Sequence, residues 1–224
     1  MIYITGDTHI PIDITKLSSK RFPEQKKMTE KDYLIICGDF GGIFNDDNEE
    51  KYWLKWLSDK KFTTLFIDGN HENFDLLSSF SEIEFHGGKA HKISDKIYHL
   101  MRGQVFEING KKIFTLGGAS SHDKEYRIES KNWWKAELPS DEEYSTALSN
   151  LNKSNNKVDI IITHCAPTSI QKDVDEKYDI NKLTDFLEDL KNSITYSKWF
   201  FGHYHKDLEV DNKHTAIFER VVLL

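Results

Sequence analysis

The chain carries five short clusters of side chains that commonly bind metal ions, and each follows a run of β-forming apolar residues. In chain order the clusters are Asp7 with His9, Asp39, Asn70 with His71, His164, and His203 with His205. In open α/β sheets, ligands bind in the crevice outside the carboxyl ends of the strands. Because all five clusters stand at predicted strand ends, we expect them to converge on one site.

Near-continuous apolar runs precede the clusters, as in strands that are buried on both faces. These runs are residues 2–5, 33–37, 64–67, 159–162 and 198–201. Glycine directly precedes Asp39 and Asn70, and glycine lets the backbone turn sharply and approach an ion closely. The repeated pattern is therefore a buried strand, a turn and a ligand.

The side chains in these clusters form a mixed set of oxygen and nitrogen donors without thiolates. Carboxylates, an amide oxygen and imidazoles favour manganese, iron, zinc or nickel over calcium or magnesium. The seven candidate ligands are Asp7, His9, Asp39, Asn70, His164, His203 and His205. They are too many for one tetrahedral ion. They fit two divalent ions that share a bridging carboxylate.

Each cluster taken alone also has a simpler structural interpretation. Asp39 between glycine-rich steps is compatible with a turn residue, and Asn70 with an ordinary Asx-turn. His203 and His205 are expected to alternate across an extended segment, in which case one of them faces solvent. These alternatives require five separate coincidences, so the joint pattern favours a metal site.

Together the five blocks make the sequence resemble the calcineurin-like metallophosphoesterases. The pattern of that family runs Asp-x-His, Gly-Asp, Gly-Asn-His-Glu/Asp, a lone His, and Gly-His-x-His, and this chain has all five blocks in order between Asp7 and His205. The resemblance implies an α/β fold, namely a four-layer αββα sandwich of two mixed β-sheets flanked by helices. It also implies a metal-dependent phosphoric ester hydrolase.

The resemblance further implies a role for each residue in the blocks. One ion would be held by Asp7, His9, Asp39 and His205. The second would be held by Asp39, Asn70, His164 and His203, with Asp39 as the bridge. His71 would face the substrate, and we assign it as the general acid that protonates the leaving oxygen. The nucleophile would be a metal-activated hydroxide that attacks phosphorus in line.

Departures from the better-known subfamilies bear on the substrate. Serine/threonine protein phosphatases carry an Asp and an Arg soon after the second block, where this chain has Gly42 and Ile43. Without such an arginine a dianionic monoester loses its bidentate partner, which favours phosphodiesters or small phosphorylated, nucleotide-like substrates. A protein phosphatase remains an alternative if Arg127 or Arg102 supplies that contact. A catalytically silent scaffold of the same fold is a further alternative, although all seven ligands are present.

The segment from about residue 117 to 140 is a predicted loop insertion that follows a glycine-rich strand exit. It is too long for an ordinary connection, and such loops are often functional. We predict that Arg127 binds a phosphate oxygen and that His122 lies near the substrate. Trp133 and Trp134 could stack on a base, but packing of the loop onto the body is the simpler interpretation. The other histidines, at positions 86, 91, 99 and 214, are predicted to lie at the surface or in loops.

One domain over residues 1–224 is predicted, because the blocks run from end to end and any division of the chain would split the site. The net charge of −7 argues against electrostatic binding of long duplex nucleic acid, whereas small phosphorylated substrates, including nucleotides or short nucleic-acid ends, remain compatible. The two cysteines are not in a spaced framework, and no segment has the pattern of a signal peptide or a membrane span. A cytoplasmic location without membrane partners is therefore expected, and the oligomeric state is open.

Between the blocks, apolar periodicity predicts four helices and a hairpin. The helices are expected at residues 49–57, 73–80, 141–151 and 181–190. Asn109-Gly110 predicts a tight hairpin turn, and further strands are expected between residues 208 and 224.

Overall fold

The computed structural model describes all residues from 1 to 224 and contains thirteen strands and five helices. The strands are β1 Ile2–Thr5, β2 Tyr33–Ile36, β3 Thr63–Phe66, β4 Glu82–Phe85, β5 Gly88–Lys92, β6 Ile97–Leu100, β7 Gln104–Ile108, β8 Lys111–Leu116, β9 Ile160–Thr163, β10 Lys198–Phe201, β11 Leu208–Glu209, β12 His214–Ala216 and β13 Val221–Leu223. The helices are α1 Asn48–Ser58, α2 Phe74–Leu77, α3 Asp141–Lys153, α4 Thr168–Val174 and α5 Lys182–Ser193. Short 3-10 turns occur at Ile14–Leu17, Pro23–Lys27, Lys124–Tyr126 and Lys135–Glu137.

The strands form two mixed sheets. One has the order β13-β1-β2-β3-β6-β5-β4, and the other has the order β11-β12-β10-β9-β8-β7. The central strands are parallel to their neighbours in both sheets, whereas antiparallel pairs occur toward the edges. Parallel central strands direct their carboxyl ends to the same edge of each sheet, as the site requires.

Side chains alternate between the two faces of each strand, and this alternation divides the core into three apolar layers. Ile4 and Ile35 of the first sheet pack in one cluster with Ile162 of the second, between the two sheets. The outer face of the first sheet packs against α1 and α2, and the outer face of the second packs against α3, α4 and α5. This arrangement confirms the predicted four-layer sandwich of two mixed sheets flanked by helices.

Local signals account for most element boundaries. Asp47 caps α1 by accepting from two backbone N–H groups, and Ser140 with Glu143 forms a capping box at α3. Asn109 and Gly110 both have positive φ, of 49° and 75°, as a type I′ hairpin turn between β7 and β8 demands. The four predicted helices and the hairpin are confirmed, with ends that differ by a few residues. Strands β4, β5 and β6 and helix α4 were not predicted from the sequence.

Two structural expectations are wrong. His203 and His205 do not alternate along an extended segment, because both have left-handed φ, of 68° and 49°. His91, His99 and His214 are buried, not at the surface. Burial is tolerated because each ring has a polar partner: His91 and His99 bond each other, and His214 bonds Tyr196 and Asp211.

None of the five helices has the length and apolar character needed to cross a bilayer. One domain over residues 1–224, with an insertion at about 117–140, stays a prediction.

Candidate metal centre

The five predicted clusters lie at the carboxyl ends of five parallel strands. Asp7, Asp39 and Asn70 follow β1, β2 and β3 of the first sheet, while His164 and His203 follow β9 and β10 of the second. The two sheets face each other, so their loops meet at one end of the sandwich. The candidate ligands form two groups there.

The first group contains Asp7, His9 and His205, whose ligand atoms all lie within 4.8 Å of one another. The Nε2 atom of His205 is 3.3 Å from Oδ2 of Asp7, and Nε2 of His9 is 4.0 Å from the same oxygen. The side chain of Asp7 is fully buried, whereas half of the His205 side chain is exposed. This half of the site therefore opens to solvent.

The second group contains Asp39, His164 and His203, also within 4.8 Å, and all three are buried. Nε2 of His164 is 3.3 Å from Oδ1 of Asp39 and 3.3 Å from Oδ1 of Asn70. The amide of Asn70 thus adds a fourth donor to this half.

Asp39 connects the two groups. Its Oδ2 is 3.3 Å from Nε2 of His9 in the first group, while its Oδ1 faces His164 in the second. Each oxygen of one carboxylate is thus directed at a different group, which is the placement of a bridging ligand.

The donor set fits a pair of divalent ions. Ligands held about 2.0–2.2 Å from an ion stand about 3.0–3.4 Å apart, and the 3.3 Å separations of the ligand atoms fall in that range. Asp7 and Asp39 are buried, and neither carboxylate pairs with a lysine or an arginine. Buried carboxylates are stable when they are paired or bind a metal. The chemistry of the site therefore matches a cation centre.

Burial and the two carboxylates together set the protonation of the histidines in the site. Burial acts to raise the pKa of Asp39, but His164 and His9 outweigh it and hold the value well below the ordinary one. Burial acts to lower the pKa of His164, but the charges of Asp39 and Asp7 raise it to about 10, so a metal ion would have to displace the Nε2 proton of this ring on binding. Burial lowers the pKa of His203 to about 3, which keeps this imidazole in its ligating, neutral form.

Several candidate ligands are oriented by a second residue. Nδ1 of His9 lies 2.8 Å from Oδ2 of Asp13, and Nδ1 of His164 donates to the backbone oxygen of Cys37 at 2.8 Å. Such bonds select the tautomer that leaves Nε2 free for a metal. The exposed ring of His205 instead stacks on Phe218, with centroids 4.7 Å apart.

Glycines before the ligands are required by close approach. A Cβ atom at Gly69 would stand 2.0 Å from Oδ1 of Asp39, and one at Gly202 would stand 2.1 Å from Oδ1 of Asp7. Asp39 itself has a φ of 44°, which is uncommon for a residue other than glycine and concentrates at functional sites.

A family model described as calcineurin-like phosphoesterase matches residues 1–207 of the chain. The chain belongs to the calcineurin-like phosphoesterase family. The predictions of that family and of a metal-dependent phosphoester hydrolase are thereby confirmed at the level of the family. Membership of this family implies a dinuclear site for divalent ions. The two ligand groups described above supply the candidate ligands for such a site.

The chain is also similar to lariat debranching enzyme A of Xenopus laevis. The two are 26% identical over an alignment 215 residues long, and the matched part covers 83% of this chain and 39% of that protein. The chain thus spans well under half the length of this curated relative.

His71 of this phosphoesterase lies beside both groups without belonging to either. Its backbone N–H donates to Oδ1 of Asp39 at 2.8 Å, and its ring packs edge-on against His9 with centroids 5.7 Å apart. The imidazole has no hydrogen-bond partner in the protein. Burial lowers the pKa of His71, and the charge of Arg127 adds to that shift while Asp39 opposes it.

The segment 117–140 lies against the site. Arg127 is within electrostatic range of His71, and its Nε is paired with Oδ1 of Asp123 at 2.7 Å. The ring of His122 stacks on His203 with centroids 5.7 Å apart. His122 therefore lies against a candidate ligand, and the positive charge of Arg127 acts on the pKa of His71, while substrate binding by either residue stays a prediction.

Two other residues that were considered as substrate contacts bond to other parts of the protein instead. Trp134 is buried, and its indole N–H donates to Asp75 at 2.8 Å, so this ring packs the loop onto the body. Arg102 donates through two nitrogens to Oδ2 of Asp68, at 2.9 and 2.7 Å, in the protein interior. It is not free to bind a substrate phosphate.

Several residues that support the ligands were not predicted from the sequence. Lys16 is buried and donates to the backbone oxygens of Asp7 and Phe218. Glu72 is buried behind Asp39, accepts from the backbone N–H of Phe40, and has a pKa raised well above its usual value by burial and the Asp39 charge. The spacing of Asp13 four residues after His9 was a usable signal for an orienting carboxylate, whereas nothing local marked Lys16 or Phe218.

Proposed function

We propose that the chain is a two-metal phosphodiesterase that hydrolyses diesters of small phosphorylated or nucleotide-like molecules. The observation that carries this proposal is the placement of the two carboxylate oxygens of Asp39, one toward each ligand group. That placement supports two adjacent cation positions instead of one.

One ion would be held by Asp7, His9, Asp39 and His205. The other would be held by Asp39, Asn70, His164 and His203. The chemistry supplied by two such ions, when bound, is activation of a water and neutralisation of charge on the phosphoryl oxygens. The mixed oxygen and nitrogen donors fit manganese, iron, zinc or nickel, and of these we expect manganese to support activity best in vitro.

His71 is the group that we assign as the proton donor to the leaving oxygen. Its ring carries no hydrogen bond from the protein, so a nitrogen is available to a substrate at the rim of the metal centre. Its lowered pKa makes the protonated ring a stronger acid, and a bound phosphate would favour protonation of the ring. Asp39 holds the backbone of His71 in place through a hydrogen bond of 2.8 Å.

A preference for diesters over monoesters follows from the state of the arginines. Arg102 is engaged by Asp68. Nε of Arg127 is paired with Asp123 and its Nη1 donates to the backbone oxygen of Asn132, so neither arginine is free to make the bidentate contact that favours a dianionic phosphate. Arg127 and His122 are then expected to contact the body of the substrate or one phosphoryl oxygen. No observation favours a protein phosphatase, and the convergence of the ligands does not favour a silent scaffold.

The name of the Xenopus laevis relative supports a nucleic-acid substrate. We propose nucleotides or short nucleic-acid ends, because the net charge of −7 disfavours the electrostatic binding of long duplexes. A cytoplasmic location is also proposed, supported by two buried cysteines that are both free thiols.

Metal analysis combined with two chromogenic esters tests the proposal. The purified chain is stripped with EDTA and reloaded with Mn²⁺. Bound metal is then counted, and turnover of bis-p-nitrophenyl phosphate is compared with that of p-nitrophenyl phosphate. We expect two ions per chain and faster hydrolysis of the diester. A clear preference for the monoester would overturn the diesterase proposal, and inactivity with Mn²⁺, Fe²⁺, Zn²⁺ and Ni²⁺ would favour the scaffold.

A further inference from the structure

The amide of Asn70 is held at both ends. Its Nδ2 donates to Oγ of Ser121 at 3.2 Å, while its Oδ1 lies 3.3 Å from Nε2 of His164 in the second ligand group. An amide has one acceptor end and one donor end, and only the oxygen can bind a cation. The bond to Ser121 therefore selects the rotamer that turns the oxygen toward the ion position.

Ser121 is in turn held by a buried carboxylate. Its hydroxyl donates to Oε2 of Glu137 at 2.7 Å, and its backbone N–H donates to Oε1 of the same residue at 3.0 Å. Because the hydroxyl proton is committed to Glu137, the oxygen of Ser121 is left to accept from Asn70. The donors in this chain of hydrogen bonds therefore all point the same way, from Asn70 to Ser121 and from Ser121 to Glu137. Glu137 is only 1% exposed.

Both ends of the 117–140 segment are tied to the loop that carries Asn70. Gly118 donates its N–H to the backbone oxygen of Asp68 at 2.9 Å, near the start of the segment. Near its end, Arg102 links the carboxylate of Asp68 to the backbone oxygen of Ala136 through bonds of 2.7 Å each. The position of Glu137 is thus set by the fold and not by the metal site alone.

We propose that Ser121 and Glu137 are positioning residues that hold the oxygen of Asn70 toward the second ion and so couple the 117–140 segment to occupancy of that half. This inference rests on the proposed two-metal function. It differs from a purely structural role, in which Glu137 would anchor the segment without affecting one ion more than the other.

Binding of Mn²⁺ to the metal-free full chain, followed by calorimetry and electron paramagnetic resonance, tests the proposal. Ser121→Ala removes the acceptor for Asn70, and Glu137→Gln removes the carboxylate that directs the hydroxyl. In both variants we expect the affinity for the second ion to fall about tenfold to 100-fold, the usual effect of losing a group that orients a metal ligand. The affinity for the first ion should stay within about twofold, and the signal of two coupled ions should weaken accordingly.

Two controls separate this role from general damage. Ser121→Thr retains a hydroxyl and should keep most of the affinity for the second ion. Ser120→Ala removes a neighbouring hydroxyl that makes no hydrogen bond in the protein, and it should leave both affinities unchanged.

The outcomes distinguish the inference from the function on which it rests. If the wild-type chain binds fewer than two ions, the two-metal proposal itself fails. If the wild type binds two ions and Ser121→Ala and Glu137→Gln do so with unchanged affinities, the positioning role is overturned. Equal loss of both ions with a lowered melting temperature would also overturn it, in favour of a structural role.

Discussion

The two halves of the candidate metal centre differ in burial. In the half formed by Asp7, His9 and His205, the His205 side chain is 52% exposed, whereas His164 in the other half is completely buried. Water can replace an exposed ligand, but a buried position from which a ligand has been removed has nothing to replace it. The comparison suggests an open half that exchanges its ion readily and a closed half that holds its ion as part of the fold.

The groups that orient the ligands differ in the same way. The open half uses a carboxylate, Asp13, and an aromatic ring, Phe218, which are both only partly buried. The closed half uses the backbone oxygen of Cys37 and the buried pair of Ser121 and Glu137. A backbone oxygen at a strand end moves less than a side chain does, so the closed half is expected to be the more rigid.

Removal of the shared carboxylate should abolish the difference between the halves. Asp39→Ala is expected to lose both ions and to lower diester turnover by about 10⁴-fold or more, because each ion contributes several kcal/mol to the transition state. Metal content after dialysis and steady-state kinetics check this, with circular dichroism as the control for folding. Retention of one tightly bound ion would show that Asp39 does not bridge.

Substitution of His71, which belongs to neither half, should lower turnover without affecting metal binding. His71→Ala is expected to lower turnover by about 10²- to 10⁴-fold, because the leaving oxygen loses its proton donor. Both ions should remain, as measured by metal analysis of the same preparation. Loss of metal in this variant would refute the assignment of His71 as the general acid.

Truncation of one histidine in each half tests the comparison directly. His164→Ala should weaken the second ion about 100-fold, and His205→Ala should weaken the first about tenfold, because water can occupy the exposed position. Calorimetric titration with Mn²⁺ measures both affinities. The distinction between a closed and an open half would be lost if the two variants showed equal effects.

Phe218 provides a test that mirrors the one for Ser121. Phe218→Ala removes the ring on which His205 stacks, and we expect the first ion to bind about threefold to tenfold more weakly while the second is unchanged. The same Mn²⁺ titration reports this. Weakening of the second ion would show that the halves are not held independently.

The smallest expected effect is on the loss of folding stability in acid, to which a group outside the metal centre contributes. Burial and the neighbouring His99 lower the pKa of His91 to about 4, whereas an unfolded histidine has a pKa of about 6.5. The unfolded chain therefore binds the proton first, so stability is full above pH 6.5 and falls as the pH drops toward 4.

We expect His91 to account for about 1 kcal/mol of the loss between pH 7 and pH 5, after allowance for partial screening by solvent. Urea unfolding of the metal-free wild type and His91→Gln at both pH values measures this difference. The same loss in both proteins would contradict the role of His91.

The polar blocks were predictable because each is a local signal placed after a buried strand. Asp7, Asp39 and His164 follow apolar runs that cannot be mistaken for exposed segments, and the rule for ligands at strand ends brings them together. The conformations of His203 and His205 were not predictable in this way. Their left-handed backbone accompanies contacts between distant parts of the chain, because Gly202 packs against the carboxylate of Asp7 and the backbone N–H of His203 donates to it.

The buried histidines were mispredicted for a related reason. His91 and His99 were predicted to lie at the surface or in loops because they fall outside the five metal-binding blocks. Across β5 and β6 their rings bond each other, and His99 also bonds Asp68. A buried polar group depends on a partner that sequence distance does not reveal.

The sequence by itself determined which donors are present, the strands that end beside them and therefore the edge of the fold at which they meet. Only the tertiary structure decided which ligand is exposed, how Asp39 directs its two oxygens, and that Ser121, which is held by Glu137, bonds Asn70. The physical reason is that alternation and strand ends are properties of short segments, whereas the orientation of a side chain depends on partners many residues away in the chain.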